Sequence, residues 1–239
     1  MKVEIWSDYA CPFCYIGKRK FQEALAAFEH KDEVEVVYRS FELDPGTKYV
    51  PGSNIHDILA DKYGATSDQI RANNANLGRQ AADMGLTFNF DDIKRGSTFD
   101  AHRLMAWAVE KGKGDVMAER LFKAYFTDGL LLEDRSVLAG LVAEAGLPQA
   151  EAEEVLASER YSELVRAEEG IGSELGIRGV PFYVLDRKLG VSGAQSPAAF
   201  LQVLQQAWAE QEQSGSSSAE VEDGAACAPD EACELPGKE

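Results

Sequence analysis

Apolar positions follow two rhythms along this chain, and the rhythm changes twice. Residues 3–6, Val-Glu-Ile-Trp, read as a short strand. From about residue 15 to 28 the spacing lengthens to that of an amphipathic helix, with Phe21, Leu25 and Phe28 on one face. A run rich in β-branched and aromatic residues over 34–41 predicts a second strand, closed by the turn signal Asp44-Pro45-Gly46. Strand, helix, strand is a β-α-β unit, so its strands should run parallel.

From about residue 55 to 170 only helical spacing remains. Ser67 is placed to cap a helix carrying Ile70, Leu77, Ala81 and Met84, with Gly85 beyond it. Thr98 can cap another through Leu104, Met105 and Ala108, and residues 116–126 carry Leu121, Phe122 and Tyr125. Ser136 precedes Val137, Leu138, Leu141 and Val142, which Gly146 stops; Pro148 opens the next helix. A longer one runs through Tyr161, Leu164, Val165 and Leu175 to Gly176. Strand signals return at 182–185 and 189–192 around Asp186-Arg187-Lys188, a connection fit for a hairpin. Ser196-Pro197 then starts a helix faced by Phe200, Leu201, Leu204 and Trp208. No repeat of fixed period is visible, which argues against a solenoid. After about Gln213 the composition breaks: Ser214-Gly215-Ser216-Ser217-Ser218 reads as a flexible linker, and the tail beyond is small and acidic.

Composition narrows the function classes. The 239 residues suffice for a proper core, and no run of 18 apolar residues predicts a membrane span. The formal charge of −17 sets the chain against phosphate backbones and anionic membranes, so neither nucleic acid nor a membrane is an expected partner. The N-terminus lacks the apolar stretch of a secretory signal, so the chain reads as cytoplasmic unless a presequence was removed. Lys18-Arg19-Lys20 is the tight basic run, either a solvated helix face or a weak positive field near a thiolate. The four cysteines form two pairs, Cys11/Cys14 and Cys227/Cys233. Cysteines this sparse in a cytosolic protein are more often catalytic or metal-binding than structural.

Cys11-Pro12-Phe13-Cys14 stands at the junction of the first strand and first helix. That junction places the first sulfur over the helix N-terminus, where unpaired N–H groups and the positive end of the dipole stabilise a thiolate. Cys11 is therefore expected to be the exposed, attacking sulfur, and Cys14, one turn in, the resolving one. Pro12 favours the first helical turn, and Phe13 adds no charge beside the sulfur. No histidine pair has metal-ligand spacing, and no metal is expected. His30 and His56 read as surface residues. His102 reads either as a core histidine or as a contact near the active-site cleft. A glycine-rich phosphate loop is absent, and Gly170-x-Gly172 lacks the context for one.

The order of elements resembles a thioredoxin fold with an all-helical domain inserted between its halves. Gly179-Val180-Pro181-Phe182-Tyr183-Val184, followed by Ser192-Gly193-Ala194-Gln195, is similar to the corresponding stretches of the DsbA family. Residues 7–17, with Thr98-Phe99-Asp100-Ala101-His102-Arg103-Leu104, resemble the FrnE-like subgroup. The resemblance covers about residues 3–210. It implies an α/β thioredoxin-like fold divided at 1–53 and 171–212, a helical insertion at 54–170, and a flexible tail at 213–239. It also implies a cis peptide before Pro181, with the Val180 backbone offered to substrate. The implied activity is that of a protein disulfide oxidoreductase or isomerase. Its partners are then client proteins, with no cofactor beyond the redox-active dithiol, which exchanges with glutathione or thioredoxin.

Other readings stay open at this point. Glutathione-dependent isomerases of the 2-hydroxychromene-2-carboxylate type share the layout but use a serine where Cys11 stands. Both cysteine pairs could in principle hold zinc, although the spacing of Cys227 and Cys233 is wider than usual for zinc ligands. That second pair is either an auxiliary dithiol swinging on the Ser/Gly linker towards Cys11–Cys14, or an inert pair.

Overall fold

The computed structural model describes residues 1–217; Cys227, Cys233 and the rest of the acidic tail lie outside the described residues. Four strands form one sheet in the order β2-β1-β3-β4: β1 (Lys2–Ser7), β2 (Glu35–Ser40), β3 (Phe182–Leu185) and β4 (Leu189–Ser192). β1 pairs in parallel with β2, from Lys2 opposite Glu35 to Ser7 opposite Ser40. It pairs antiparallel with β3, Trp6 opposite Phe182, and β3 pairs antiparallel with β4. The β1–β2 connection is α1 (Pro12–Ala27), as a parallel pair requires.

β1 is central and covered on both faces, so it is buried without a break from Val3 to Ser7. On one face Val3 and Ile5 join Phe21 of α1, Tyr183 and Leu185 of β3, and Phe200 and Leu204 of α9 (Pro197–Ser217). On the other, Trp6 packs with Val184 and Ile177 under α8 (Ser162–Glu174). Trp6 Nε1 donates to the Glu168 carbonyl at 2.9 Å, and a Cβ on Gly172 would lie 2.9 Å from that nitrogen. Gly172 therefore lets α8 approach the sheet. The Glu168 carboxylate then accepts from Ser40 N at 2.8 Å, Ser40 Oγ at 2.7 Å and Arg39 Nη1 at 2.8 Å. α8 thus runs across residue 170, the expected end of the insertion, and is tied to β2.

The hairpin forms as its spacing predicts. Asp186 and Arg187 both have positive φ, 47° and 58°, and Lys188 N donates to Leu185 O at 2.9 Å. That is the left-handed geometry favoured in two-strand turns. Neither residue is glycine. Each is held by a tertiary contact: Asp186 Oδ1 accepts from Lys2 N at 2.6 Å, and the Arg187 guanidinium pairs with buried Glu4.

Between β2 and β3 lie α2 (Ile55–Tyr63), α3 (Ser67–Ala82), α4 (Phe99–Glu110), α5 (Gly114–Phe126), α6 (Arg135–Glu144), α7 (Gln149–Ala157) and α8. Their core is built on Leu104, Trp107, Met117, Leu121, Phe122, Leu138 and Val142, all buried. Arg103 is buried too. Its guanidinium reaches Asp100 at 2.7 Å and the carbonyls of Arg160 at 2.9 Å and Val155 at 2.6 Å, stitching α4 to the α7–α8 turn.

Two caps move from their expected places. Thr66 caps α3 through a capping box with Gln69, so Ser67 is the first helical residue. Asp134 caps α6, accepting from Ser136 N at 2.8 Å, because a carboxylate one residue outside the helix reaches the free N–H groups that Ser136 cannot. α9 continues to Ser217, past the linker expected from Ser214. Lys18, expected on a solvated face, is buried with its ammonium 3.0 Å from Asp115 and 3.2 Å from Glu119 of α5. Arg19 also pairs with Glu119, and Lys20 donates to the Ala194 carbonyl at 3.2 Å. The basic run thus joins α1 to α5 and to the loop after β4, with Lys18 and Arg19 paired to carboxylates.

Candidate active site

β1 ends at Ser7, and the chain turns through Asp8–Ala10 into α1. Cys11 is the N-cap residue, with extended backbone (φ −96°, ψ 112°), and its N–H donates to Asp8 O at 3.0 Å. Pro12 occupies the first helical position, where a missing N–H costs nothing. No side chain caps this helix and its first turn holds no acidic residue, so no acid of the helix itself offsets its positive end. Asp8 organises the turn: its buried carboxylate accepts from Ala10 N at 3.2 Å and from Leu43 N at 2.7 Å, drawing the segment after β2 against the loop.

Both cysteines are free thiols, and both are buried. The expected exposure of Cys11 is not what the structure shows: the residue is 4% exposed, because the Val180 segment and the helical layer close over it. Cys14 is 2% exposed. Burial pushes its thiol well above the ordinary range, and the neighbouring Cys11 adds to the shift; contacts from Ser7 and the Asp8 backbone only partly offset it. Cys14 is held protonated.

Opposite the dithiol, the Val180–Pro181 peptide is cis. The Cys11 thiol donates to the Val180 carbonyl at an Sγ–O distance of 3.5 Å. Pro181 O accepts from Gly193 N at 2.8 Å, which anchors this loop to the end of the hairpin. α1 comes close to the loop at Gly17, where a Cβ would lie 3.0 Å from Pro181 Cγ.

A cavity of about 570 Å³ opens from Cys11 between the sheet edge and helices α2 and α3. Its walls are largely apolar, with Leu59, Leu77 and Ile93 among them, and Phe13 and Tyr63 stand exposed at its rim. Asn74 and Gln80 add amides, while Lys62 and Arg95, also in the wall, both reach Asp44.

The structure brings Cys11, Cys14, Pro12, Phe13, Val180 and Pro181 together. It does not place His102 in the cleft. His102 is buried behind the cleft wall, its ring centroid 4.9 Å from that of Tyr9 and its Nε2 3.7 Å from Asp8 Oδ1, with no hydrogen-bond partner for that nitrogen. Thr98, the residue just before α4 and one turn earlier, is in the wall instead. His56 is also buried rather than superficial, held between Asn74 and Asp91. Among the described residues no group of three or more histidine, cysteine or acidic side chains gathers to hold a metal. The roles of Ser7, Asp8, Gly17 and Asn74 went unassigned in the sequence. Asp8, three residues before Cys11, carried the one local signal, a buried-strand end followed by an acid.

A dithiol at the start of a helix after the central strand, faced by a cis-proline loop, defines a thioredoxin-fold redox protein. The chain belongs to the DSBA-like thioredoxin domain family, whose model matches residues 2–205. It is similar to the crystal structure of a probable DsbA oxidoreductase from Streptomyces coelicolor, with 43% identity over 99% of this chain and 100% of that one and a TM-score of 0.82. YwbO of Bacillus subtilis, a protein without an assigned role, is 28% identical over 187 residues, 77% of this chain and 86% of its own. The cytosolic disulfide reductase DsbM of Pseudomonas aeruginosa shares the fold at 21% identity and a TM-score of 0.57, over 86% of this chain and 98% of that one. So does a 2-hydroxychromene-2-carboxylate isomerase, at 15% identity and a TM-score of 0.65 over 91% and 99%.

Proposed function

We propose that this DsbA-like oxidoreductase exchanges thiols and disulfides with protein clients through Cys11 and Cys14. The observation that carries the reading is the Cys11 sulfur at the helix N-terminus, 3.5 Å from the Val180 carbonyl, at the base of an apolar cleft. Cys11 as thiolate attacks one sulfur of a client disulfide; the other client sulfur leaves with the electron pair of the broken bond. Cys14 then gives up its proton and attacks Cys11 Sγ, closing the Cys11–Cys14 disulfide and releasing the second client thiolate. The client gains two electrons, and the protein loses them. The reverse sequence oxidises a client dithiol. Glutathione or thioredoxin is the natural class of partner to reset the pair.

Because Cys11 is buried, a client must enter the cleft as an extended or locally unfolded segment. The exposed ring of Phe13 and the apolar walls favour such a segment. Cys14→Ser tests the reading. Without its resolving thiol, Cys11 should retain clients as mixed disulfides that dithiothreitol releases. Clients retained equally by Cys11→Ser/Cys14→Ser, or absent from both, would overturn it.

A further inference from the structure

Asn74 of α3 is 8% exposed, yet it lines the same cleft as Cys11. Its amide is held from behind. Asn74 Nδ2 lies 3.1 Å from His56 Nδ1, and His56 Nε2 lies 3.1 Å from Asp91 Oδ1. Hydrogen bonds from Arg71 and His56 keep the Asp91 carboxyl below its usual range, so it is a carboxylate and can only accept. His56 Nε2 must then carry the hydrogen. The structure sets Asn74 Nδ2, which can only donate, against His56 Nδ1 at 3.1 Å.

The consequence falls on the oxygen. Among the described residues no group donates to Asn74 Oδ1, and this atom is not one of the sealed, unpartnered polar atoms. His56 belongs to a second cavity on the far side of α3, and Asn74 is part of the partition between that cavity and the cleft. Asn74 lines both cavities while His56 lines only the second, so a nitrogen turned to His56 turns the diverging oxygen away from that second cavity. An acceptor fixed in a mostly apolar wall is matched by a donor, and an extended chain offers one main-chain N–H at each non-proline residue.

We propose that Asn74 Oδ1 accepts a hydrogen bond from a main-chain N–H of the bound client segment, making Asn74 a residue that recognises peptide as opposed to any small thiol. This rests on the thiol–disulfide reading above. His56 and Asp91 act through Asn74 as positioning residues.

The test uses the full chain in its Cys11–Cys14 disulfide form. It is mixed with a reduced, end-blocked peptide containing two cysteines, or with dithiothreitol, which has no N–H. Asn74→Leu should raise the peptide concentration at half-maximal rate about five- to tenfold relative to that for dithiothreitol, the worth of one buried hydrogen bond. Peptides methylated at one amide nitrogen at a time should reveal one position where methylation weakens the wild type by a similar factor and leaves Asn74→Leu unaffected. An unchanged peptide-to-dithiothreitol ratio in Asn74→Leu overturns the proposal, as do methylation penalties equal in both proteins. If Asn74→Leu does not fold, Asn74→Ser, too short to reach the N–H, gives the same comparison. Should wild type oxidise neither substrate, the exchange reading itself falls, and this one with it; oxidation of both with no Asn74 effect removes this one alone.

Discussion

Gly17 on α1 and Tyr183 on β3 occupy adjoining space: a methyl group on Gly17 would lie 2.6 Å from the Tyr183 hydroxyl oxygen. The ring cannot retreat. It is buried, with ring centroids 5.3 Å from Phe21 and 4.6 Å from Phe200, and its hydroxyl has no hydrogen-bond partner. This contact sets how closely the helix bearing the dithiol meets the strand that follows Pro181.

Gly17→Ala should therefore destabilise the protein despite alanine's better helix propensity. Overpacking costs about 1–3 kcal/mol and the propensity gain is about 1, leaving a net loss of up to about 2 kcal/mol. Adding Tyr183→Phe removes the clashing atom and an unsatisfied polar group together, so the double variant should recover most of the loss. Urea denaturation of the four proteins in the cycle measures the coupling; additive effects would contradict the geometry.

Cys14 should be slow to alkylate. Burial raises its thiol well above the ordinary range, so it is protonated at neutral pH and becomes a thiolate only as pH climbs beyond that range. In Cys11→Ser, iodoacetamide should label the folded protein at pH 8 at least about tenfold more slowly than the denatured protein. Mass spectrometry against time reads the rates. Equal rates would show that Cys14 is not held as described.

Asp8 ties the loop before Cys11 to the segment after β2. Asp8→Ala removes the acceptor for Ala10 N and Leu43 N and should cost about 2–4 kcal/mol in denaturant unfolding. Asp8→Asn keeps an acceptor and should cost less than Asp8→Ala. A silent Asp8→Ala would mean that solvent replaces both bonds.

Glu119 joins α5 to α1. Burial alone would raise its carboxyl, but the hydrogen bond from Tyr15 and the charges of Lys18 and Arg19 outweigh that and hold it below the usual range. Its contribution to stability is thus present above the unfolded value, near 4.5, and is lost as pH falls through the lower folded value. Glu119→Gln should be less stable than wild type at pH 7 by about 1–2 kcal/mol, discounted for partial exposure. The difference should shrink as pH falls below 4.5, which thermal melts at a series of pH values will show.

Local pattern carried far in this chain. The strand rhythm at 3–6, the helical spacing after residue 15 and the paired strand signals around Asp186 each depend on neighbours in sequence, and each element forms where its pattern predicts. The cysteine spacing at the start of α1 was equally legible, because an N-cap and first turn are properties of a few consecutive residues. What surrounds those residues was not. Cys11 is covered by Val180, 169 positions away, and Lys18 meets Glu119 across 101. His56 is buried by Asn74 and Asp91, which belong to other turns of the chain. Burial and partner choice arise only when separate elements close on one another, since no periodicity records which face of a distant helix will arrive. The sequence by itself determined the elements and the reactive pair; packing alone decided how deep the sulfur lies, which histidines are inside, and which helices wall the cleft.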